Sequence, residues 1–472
     1  MRLWLAILIA SWCAVCPALA QTDTDQESRK KIIVNLLTGG PVPLADWNFA
    51  VSLTPNGAGS APTDSRLSSA TEFNSSGTLV TVGSNVLRQT YNPATLQPLG
   101  IWSEGTTTNL QPYSGDPTNA TGWSLVSATI ATGITAPDGG TTGATLTDTA
   151  ANSTHDIQNN AGLTVASGSV ATMSIFFSPG TIQYTVPLNA AETSGVGAWS
   201  TLNTLGAPPV VTQALTSSGS VQLSGSTGPT LIGTYGGNTW YRYSISAGFA
   251  GSASPTSYGF NWTMAVASTN ASFLPTYVGS GSTSLIWGGD FETNPFVSSH
   301  VITAASSATR QSDKITANCP LSSFPLGLTA VVRGVTALGI AGTNQTIWTI
   351  CDDGTTNNYV QIYRNPSRQM VGIVVAGGVT QATLTLGTVA DSTAFVVSLA
   401  VSKTSASASL NSGAPVTASV SSLPTGFTKT RFGEDASGAT QCFCTIGRAT
   451  LYNSYLPTKT SANDNFFERN VA

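Results

Sequence analysis

Charge is what this sequence has least of. Only 8% of its 472 residues are Asp, Glu, Lys or Arg, 18 basic against 22 acidic, for a formal charge of −4. That balance leaves no basic patch to neutralise phosphates, which excludes a nucleic-acid partner. Histidine is nearly missing: His155 and His300 are the only two. A Ser-His-Asp triad would need one of them, and no Gly-x-Ser-x-Gly elbow accompanies either. His155-Asp156 is therefore read as a histidine hydrogen-bonded to a neighbour. No helical periodicity of three turns and no tandem repeat of fixed period is found. After residue 20 no apolar run reaches the roughly 20 residues that span a bilayer. The low charge is not a sign of disorder, because 41% of the chain is hydrophobic and disordered segments are poor in such residues.

The one long apolar run stands at the start. Arg2 supplies a positive end, Leu3 to Val15 is almost unbroken, and Ala18-Leu19-Ala20 has the small-x-small pattern of a cleavage site. Residues 1–20 are read as a cleavable signal peptide, and the destination as secreted, extracellular or periplasmic. Its loss removes Cys13 and Cys16 and leaves Cys319, Cys351, Cys442 and Cys444. An even number of cysteines in an exported chain reads as disulfides. Cys442 and Cys444 fall at i and i+2 of an expected strand, so a bond between them is the least expected pairing. Each is expected to join Cys319 or Cys351. A metal reading is weaker, since Cys-x-Cys lacks the usual ligand spacing and no histidine is near it in sequence.

The remainder reads as strands. Ala171, Met173, Ile175 and Phe177 alternate onto one face, as do Tyr241, Tyr243 and Ile245, with Trp240 on the opposite face. Leu328–Arg333, Thr346–Ile350, Tyr359–Arg364, Val371–Val375, Ala382–Leu386 and Ala394–Ala400 follow, with Asp352-Asp353-Gly354 as a hairpin-type turn. Short alternating runs punctuated by Gly, Pro and Asn turns argue for an all-β chain of two β-sandwich, jelly-roll-like domains. The expected division is an irregular region over 21–110 wrapped onto a first sandwich at 111–300, a linker at 301–312, a second sandwich at 313–458 and a polar tail at 459–472.

No catalytic set emerges. Asp290 and Glu292, at i and i+2, share a strand face and form the one pair a polysaccharide-degrading enzyme would use, but the Glu-x-Asp-x-x-Glu strand of sandwich-fold glucan hydrolases is missing. The acidic turn Asp352-Asp353 would admit Ca²⁺, the one cofactor considered. Aromatic residues are the more suggestive feature. Low charge suits neutral sugars, and exposed Trp or Tyr rings stack on them; Trp123, Trp199 and Trp240 are the candidate ligand-binding residues, set against the general tendency of large rings to be core.

Asp64-Ser-Arg-Leu-Ser-Ser-Ala-Thr-Glu-Phe-Asn-Ser-Ser-Gly-Thr-Leu79, Tyr91-Asn92-Pro93 and Gly100-Ile-Trp-Ser-Glu-Gly-Thr-Thr-Thr-Asn-Leu110 together resemble a module of phage tail-fibre and prophage-encoded structural proteins. Trp123, Ala136-Pro137-Asp138-Gly139 and Trp240-Tyr241-Arg242 continue the resemblance in order. Asp352 to Asn358 followed by Ile362-Tyr363-Arg364 is similar, at the level of pattern, to a concanavalin-like, laminin-G-type jelly roll. The resemblance implies sandwiches that bind glycans. The departures are that Trp287-Gly-Gly-Asp-Phe-Glu292 falls after Ala271–Thr276 rather than before it, and that phage structural proteins seldom carry a signal peptide. The leading expectation is an exported, non-enzymatic, adhesin-like protein binding a cell-surface or extracellular glycan. The alternatives are a structural fibre or particle component, trimeric and virion-associated, and a polysaccharide-degrading enzyme.

Overall fold

The computed structural model describes residues 41–457, apart from 161–162, 164–169, 191–196, 218–220, 250–258, 337–338 and 340–341. The expected leader at 1–20 and the tail at 459–472 lie outside the described residues. Among those described there is no helix, and every strand pairing is antiparallel. The chain is all-β, as its alternation implies.

Two sandwiches account for most strands. In the first, six strands of an eight-stranded sheet are ordered Ala128–Ile134, Gly143–Asp148, Thr283–Glu292, Val170–Ser178, Asn238–Phe249, Val221–Tyr235. It faces a six-stranded sheet ordered Val210–Ser217, Gly197–Asn203, Tyr184–Ala190, Gly259–Ala265, Asp156–Asn159, Trp123–Val126. Ala171, Met173, Ile175 and Phe177 enter the core between them with Tyr243, Ile245, Trp262 and Met264.

The second sandwich pairs a seven-stranded sheet with a nine-stranded one. The former runs Val379–Thr388, Gln369–Ala376, Tyr359–Arg364, Gln345–Cys351, Lys429–Phe432, Ile315–Asn318, Thr63–Asp64. In the latter, Cys444–Tyr452, Leu328–Val335, Ala394–Val401 and Ser405–Leu410 form the centre. Period-two alternation places Val360 and Ile362 in the core while Tyr359, Gln361 and Tyr363 point outward.

The N-terminal region, expected to wrap onto the first sandwich, is shared between the two: Leu79 packs with Trp240 and Thr107–Asn109 joins the eight-stranded sheet, while other strands are built into the second. Ala45–Trp47 pairs with Cys444–Tyr452, Pro98–Ser103 pairs with the start of that strand, and Thr63–Asp64 extends the opposite sheet. Trp47 is fully buried there, edge-on to Trp348 and Phe432. Gly100 is required at this junction: its φ is +112°, and a Cβ would lie 2.2 Å from the Ile446 carbonyl oxygen. The expected linker is equally integrated. Ala308–Arg310 pairs with Thr107–Asn109, which bonds to the end of Thr283–Glu292 in the first sandwich.

The cysteines correct the expected pairing. Cys442 and Cys444 are joined to each other, while Cys319 and Cys351 are free. The expectation assumed a regular strand through 442–444, but Phe443 has φ +49°, and this kink brings the two Cα atoms to 5.1 Å. That separation is ordinary for a disulfide. Cys319 and Cys351 lie on either side of one strand: Cys319 N donates to Thr428 O and Thr428 N donates to Cys351 O. Two strand spacings, roughly 9.5 Å, exceed the ~7 Å limit for bridging.

Candidate functional site

The tryptophans that the sequence offers as stacking platforms are all core residues. Trp123 is 4% exposed, Trp199 5% and Trp240 0%. Trp123 Nε1 donates to Tyr113 O, and Trp199 Nε1 to Asn270 O beneath the segment that carries Phe273. Trp240 does lie opposite Tyr241 and Tyr243, as alternation implies. That opposite face is covered, and Trp240 packs there with Leu79, Phe176, Leu285 and Trp287.

What covers it is a seam of buried charge. Arg66 donates to Asp64 Oδ2 (2.7 Å), Asp313 Oδ1 (2.6 Å) and the carbonyls of Ser68, Gly83 and Val86. Arg88 pairs with Asp313 and with Glu104 (3.0 Å), and donates to Thr71 O and Ser299 Oγ. Burial alone would raise the Glu104 carboxyl, but Arg310, Arg88 and the Ser299 hydroxyl and amide outweigh it and hold it down at about 2. Arg310, 1% exposed, has Glu104 at 3.5 Å. Farther along, Asp290 accepts from Arg242 and from His300 Nδ1, both at 2.7 Å, and from Asn109 Nδ2 at 2.6 Å.

The Asp290/Glu292 pair shares one face, as its spacing implies, but both residues are 0% exposed. Glu292 is held by Thr107, Asn294 and Ser298; burial, and then Asp290 beside it, push its carboxyl up to about 7. Four arginines (66, 88, 242, 310) stand against five carboxyl groups (64, 104, 290, 292, 313). The seam is a structural rivet between the sandwiches, and Arg66, Glu104 and Asn109, which carry the phage-module resemblance, belong to it.

The other candidates are likewise committed. His155 is fully buried, with Nδ1 2.6 Å from Ser127 O and Nε2 3.1 Å from Tyr277 O. Asp353 forms an ion pair with Arg431 at 2.7 Å, and Asp352 Oδ2 accepts from Thr355 and Asn358. Among the described residues no group of three or more His, Cys, Asp or Glu side chains is arranged to hold a metal. A cavity of about 410 Å³ opens on the nine-stranded sheet, but its lining is apolar apart from Arg333 and Asn411.

The outer face of the seven-stranded sheet is partly open, with Thr383 and Thr385 exposed and Ile373 half-buried. Tyr359 and Tyr363 lie at i and i+4 on it, both half-buried. Val375, Ile373 and Val371 stand directly opposite Tyr359, Gln361 and Tyr363; the two valines are buried and Ile373 is half-buried. Thr383 and Thr385, opposite Ile373 and Val371, line the far side with exposed hydroxyls. The near side is walled by the segment 434–441, tied down through Thr346–Thr440 (2.6 Å) and Thr349–Glu434 O (2.7 Å). Burial, then Tyr363 and Asp435, raise the Tyr359 phenol. Glu434 lies under this wall, 0% exposed, and burial pushes it up to about 7 despite Arg431 at 2.9 Å. Aromatic rings beside a half-buried apolar side chain, with hydroxyls alongside, suit a ligand with apolar faces and polar edges.

Sequence reasoning missed this face, although its signal was legible. Val360 and Ile362 mark the core side of Tyr359–Arg364, so both tyrosines had to be outward.

Compared with known families and with curated proteins, the chain matches none. Among solved structures it is similar to the CBM40 of Ruminococcus gnavus IT-sialidase bound to alpha2,3 sialyllactose, at 14% identity over 28% of this chain and 77% of that one (TM-score 0.24). It is also similar to domains LG4-5 of the mouse laminin alpha1 chain, at 11% identity over 64% and 84% (TM-score 0.21). Trypanosoma rangeli sialidase matches at 11% identity over 69% and 61% (TM-score 0.26). These likenesses are too slight to carry function, which has to be argued from the site.

Proposed function

We propose that this is an exported, non-enzymatic glycan-binding protein of phage tail-fibre lineage, and that it binds through the outer face around Tyr359 and Tyr363. One observation carries the reading: this face sets two half-buried aromatic rings beside the half-buried Ile373 and exposed hydroxyls, whereas the carboxylate pair of the enzymatic alternative is buried. A glycan array with the mature chain tests it. Binding that Tyr359→Ala abolishes without changing the melting temperature is expected; an array silent with and without Ca²⁺ removes the proposal.

The fibre alternative has one observation in its favour. Ala128–Ile134 is an edge strand without a charged residue, so its free backbone groups are open to pairing with another copy. Light scattering decides it: a trimer supports a fibre component, and a monomer removes it.

A further inference from the structure

The geometry points to a neutral, chain-internal ligand: we infer that the tyrosine face binds the interior of an uncharged polysaccharide, over about three consecutive sugar rings, rather than a terminal or acidic sugar. The inference rests on the glycan-binding reading and specifies the ligand class of that same face.

Length is the first argument. Tyr359 and Tyr363 are four residues apart on one extended strand, ~13 Å along its axis, which is the length of a trisaccharide rather than of one ring. Between them the apolar surface is that of the half-buried Ile373, opposite Gln361, flanked by the buried Val375 and Val371. Thr383 and Thr385 repeat along the same direction, so hydrogen-bonding groups recur with the rings. Both ends of the strip lead into exposed turns, at 354–357 and 366–368. A terminal-sugar site needs a closed end, and this strip has none.

Charge is the second. Anion recognition calls for a committed arginine or lysine. Arg431, the cation beside the strip, is already shared between Asp353 (2.7 Å) and Glu434 (2.9 Å). At the other end Arg364 and Arg368 both bind Asp391, at 2.5 and 2.7 Å. Lys429 stands two strands away from Tyr359, beyond Cys351, and contacts Asn318. Asp435, held by the amides of Ser437 and Ala439 and by two hydroxyls, is close enough to raise Tyr359. Beside Tyr359 an acidic sugar would face Asp435, while Arg431 there is already shared between two carboxyl groups.

Titration calorimetry of the mature chain against ladders of one to six units tests this, using β-1,4-glucose, β-1,4-xylose, α-1,4-glucose and β-1,3-glucose. Sialyllactose and oligogalacturonate serve as anionic probes. On a neutral ladder, affinity is expected to rise by at least about tenfold from two units to four and then level off. Reducing the sugar end with borohydride should leave it unchanged. Tyr363→Ala should weaken the tetramer but not the dimer, and Tyr363→Phe should restore it, a split that a merely structural role would not produce. Tighter binding of either anionic probe, or affinity that is flat from one unit upward, overturns the inference while leaving glycan binding standing. Silence on every ladder and on the array overturns both.

Discussion

The two sandwiches share one construction and differ in what became of an outer face. On the eight-stranded sheet of the first, the outer face is covered by residues 70–79 and 293–304, so Thr172, Ser174, Phe176 and Trp240 are as buried as the core strands behind them. On the seven-stranded sheet of the second, the strip around Tyr359 and Tyr363 stays partly open. Aromatic residues are richer on the covered face, yet the poorer, open face is the one a ligand can reach. The covering segments bring the charge with them. A chain with few charged residues spends four arginines, five carboxylates and His300 inside the seam, where losing one partner strands another in a dry interior.

Breaking the seam should give the largest effect. Asp313 accepts from Arg66, Arg88 and the Glu104 amide. Asp313→Ala leaves two buried guanidiniums short of a carboxylate, and a loss of about 3–5 kcal/mol is expected. Chemical denaturation measures it; an unchanged midpoint would show the seam to be hydrated. Next, Trp240→Ala should cost about 3–5 kcal/mol through the cavity it leaves while the folded fraction keeps its glycan affinity. Tyr363→Ala should do the reverse, costing only about 1 kcal/mol and weakening a four-unit glycan while leaving a two-unit one unchanged. Equal behaviour of the two variants would erase the distinction between covered and open faces.

Proton linkage sharpens the comparison, because both regions hold carboxyls raised to about 7. Glu72 and Glu292 belong to the covered side, and Glu434 lies under the wall of the open strip; Asp156, beside His155, is a fourth. In each case burial is the main cause. A raised carboxyl binds its proton more tightly in the folded chain, so its contribution is full below the unfolded value near 4 and is lost as pH rises through 7. Glu104, held at about 2, acts oppositely: its contribution is full above about 4.5 and is lost as pH falls toward 2. Stability should therefore peak near pH 4–5, with a melting temperature several degrees higher at pH 5 than at pH 8. Glu292→Gln should flatten that slope. A melting temperature that climbs from pH 5 to 8 would contradict the assignment.

How far the fold could be read from residue order follows the same division. Alternation placed Met173, Tyr243 and Val360 on the correct faces, because one strand's periodicity is a local property. It also placed Trp240 opposite Tyr241, but whether an opposite face meets water depends on segments more than a hundred residues away. Leu79 and His300 decide the surroundings of Trp240 and Phe176, and nothing near either residue says so. The Asp290/Glu292 pair failed for that reason too: the spacing was right, and the lid of residues 298–301 was invisible. Tyr359 and Tyr363 are within reach of local reasoning, because Val360 and Ile362 alone fix their outward side.

Cysteine chemistry gives the smallest effect, and it separates local from long-range bonding. Were Cys442 and Cys444 each joined to Cys319 or Cys351, they would cross-link strands far apart in sequence, and reduction would destabilise the second sandwich by several kcal/mol. A bond with a sequence separation of 2 closes almost no loop. The chain-entropy estimate for so short a loop is only about 1.5 kcal/mol. Alkylation of the unfolded, unreduced mature chain should label two thiols, Cys319 and Cys351, and reduction of the folded protein should lower the melting temperature slightly. Burial raises both thiols, Cys319 to about 11, so neither should react quickly until the sandwich opens. Finding no thiol in the unfolded chain would restore the pairing that spacing alone implies, and with it a second sandwich held by covalent bonds rather than by packing around Trp47 and Trp348.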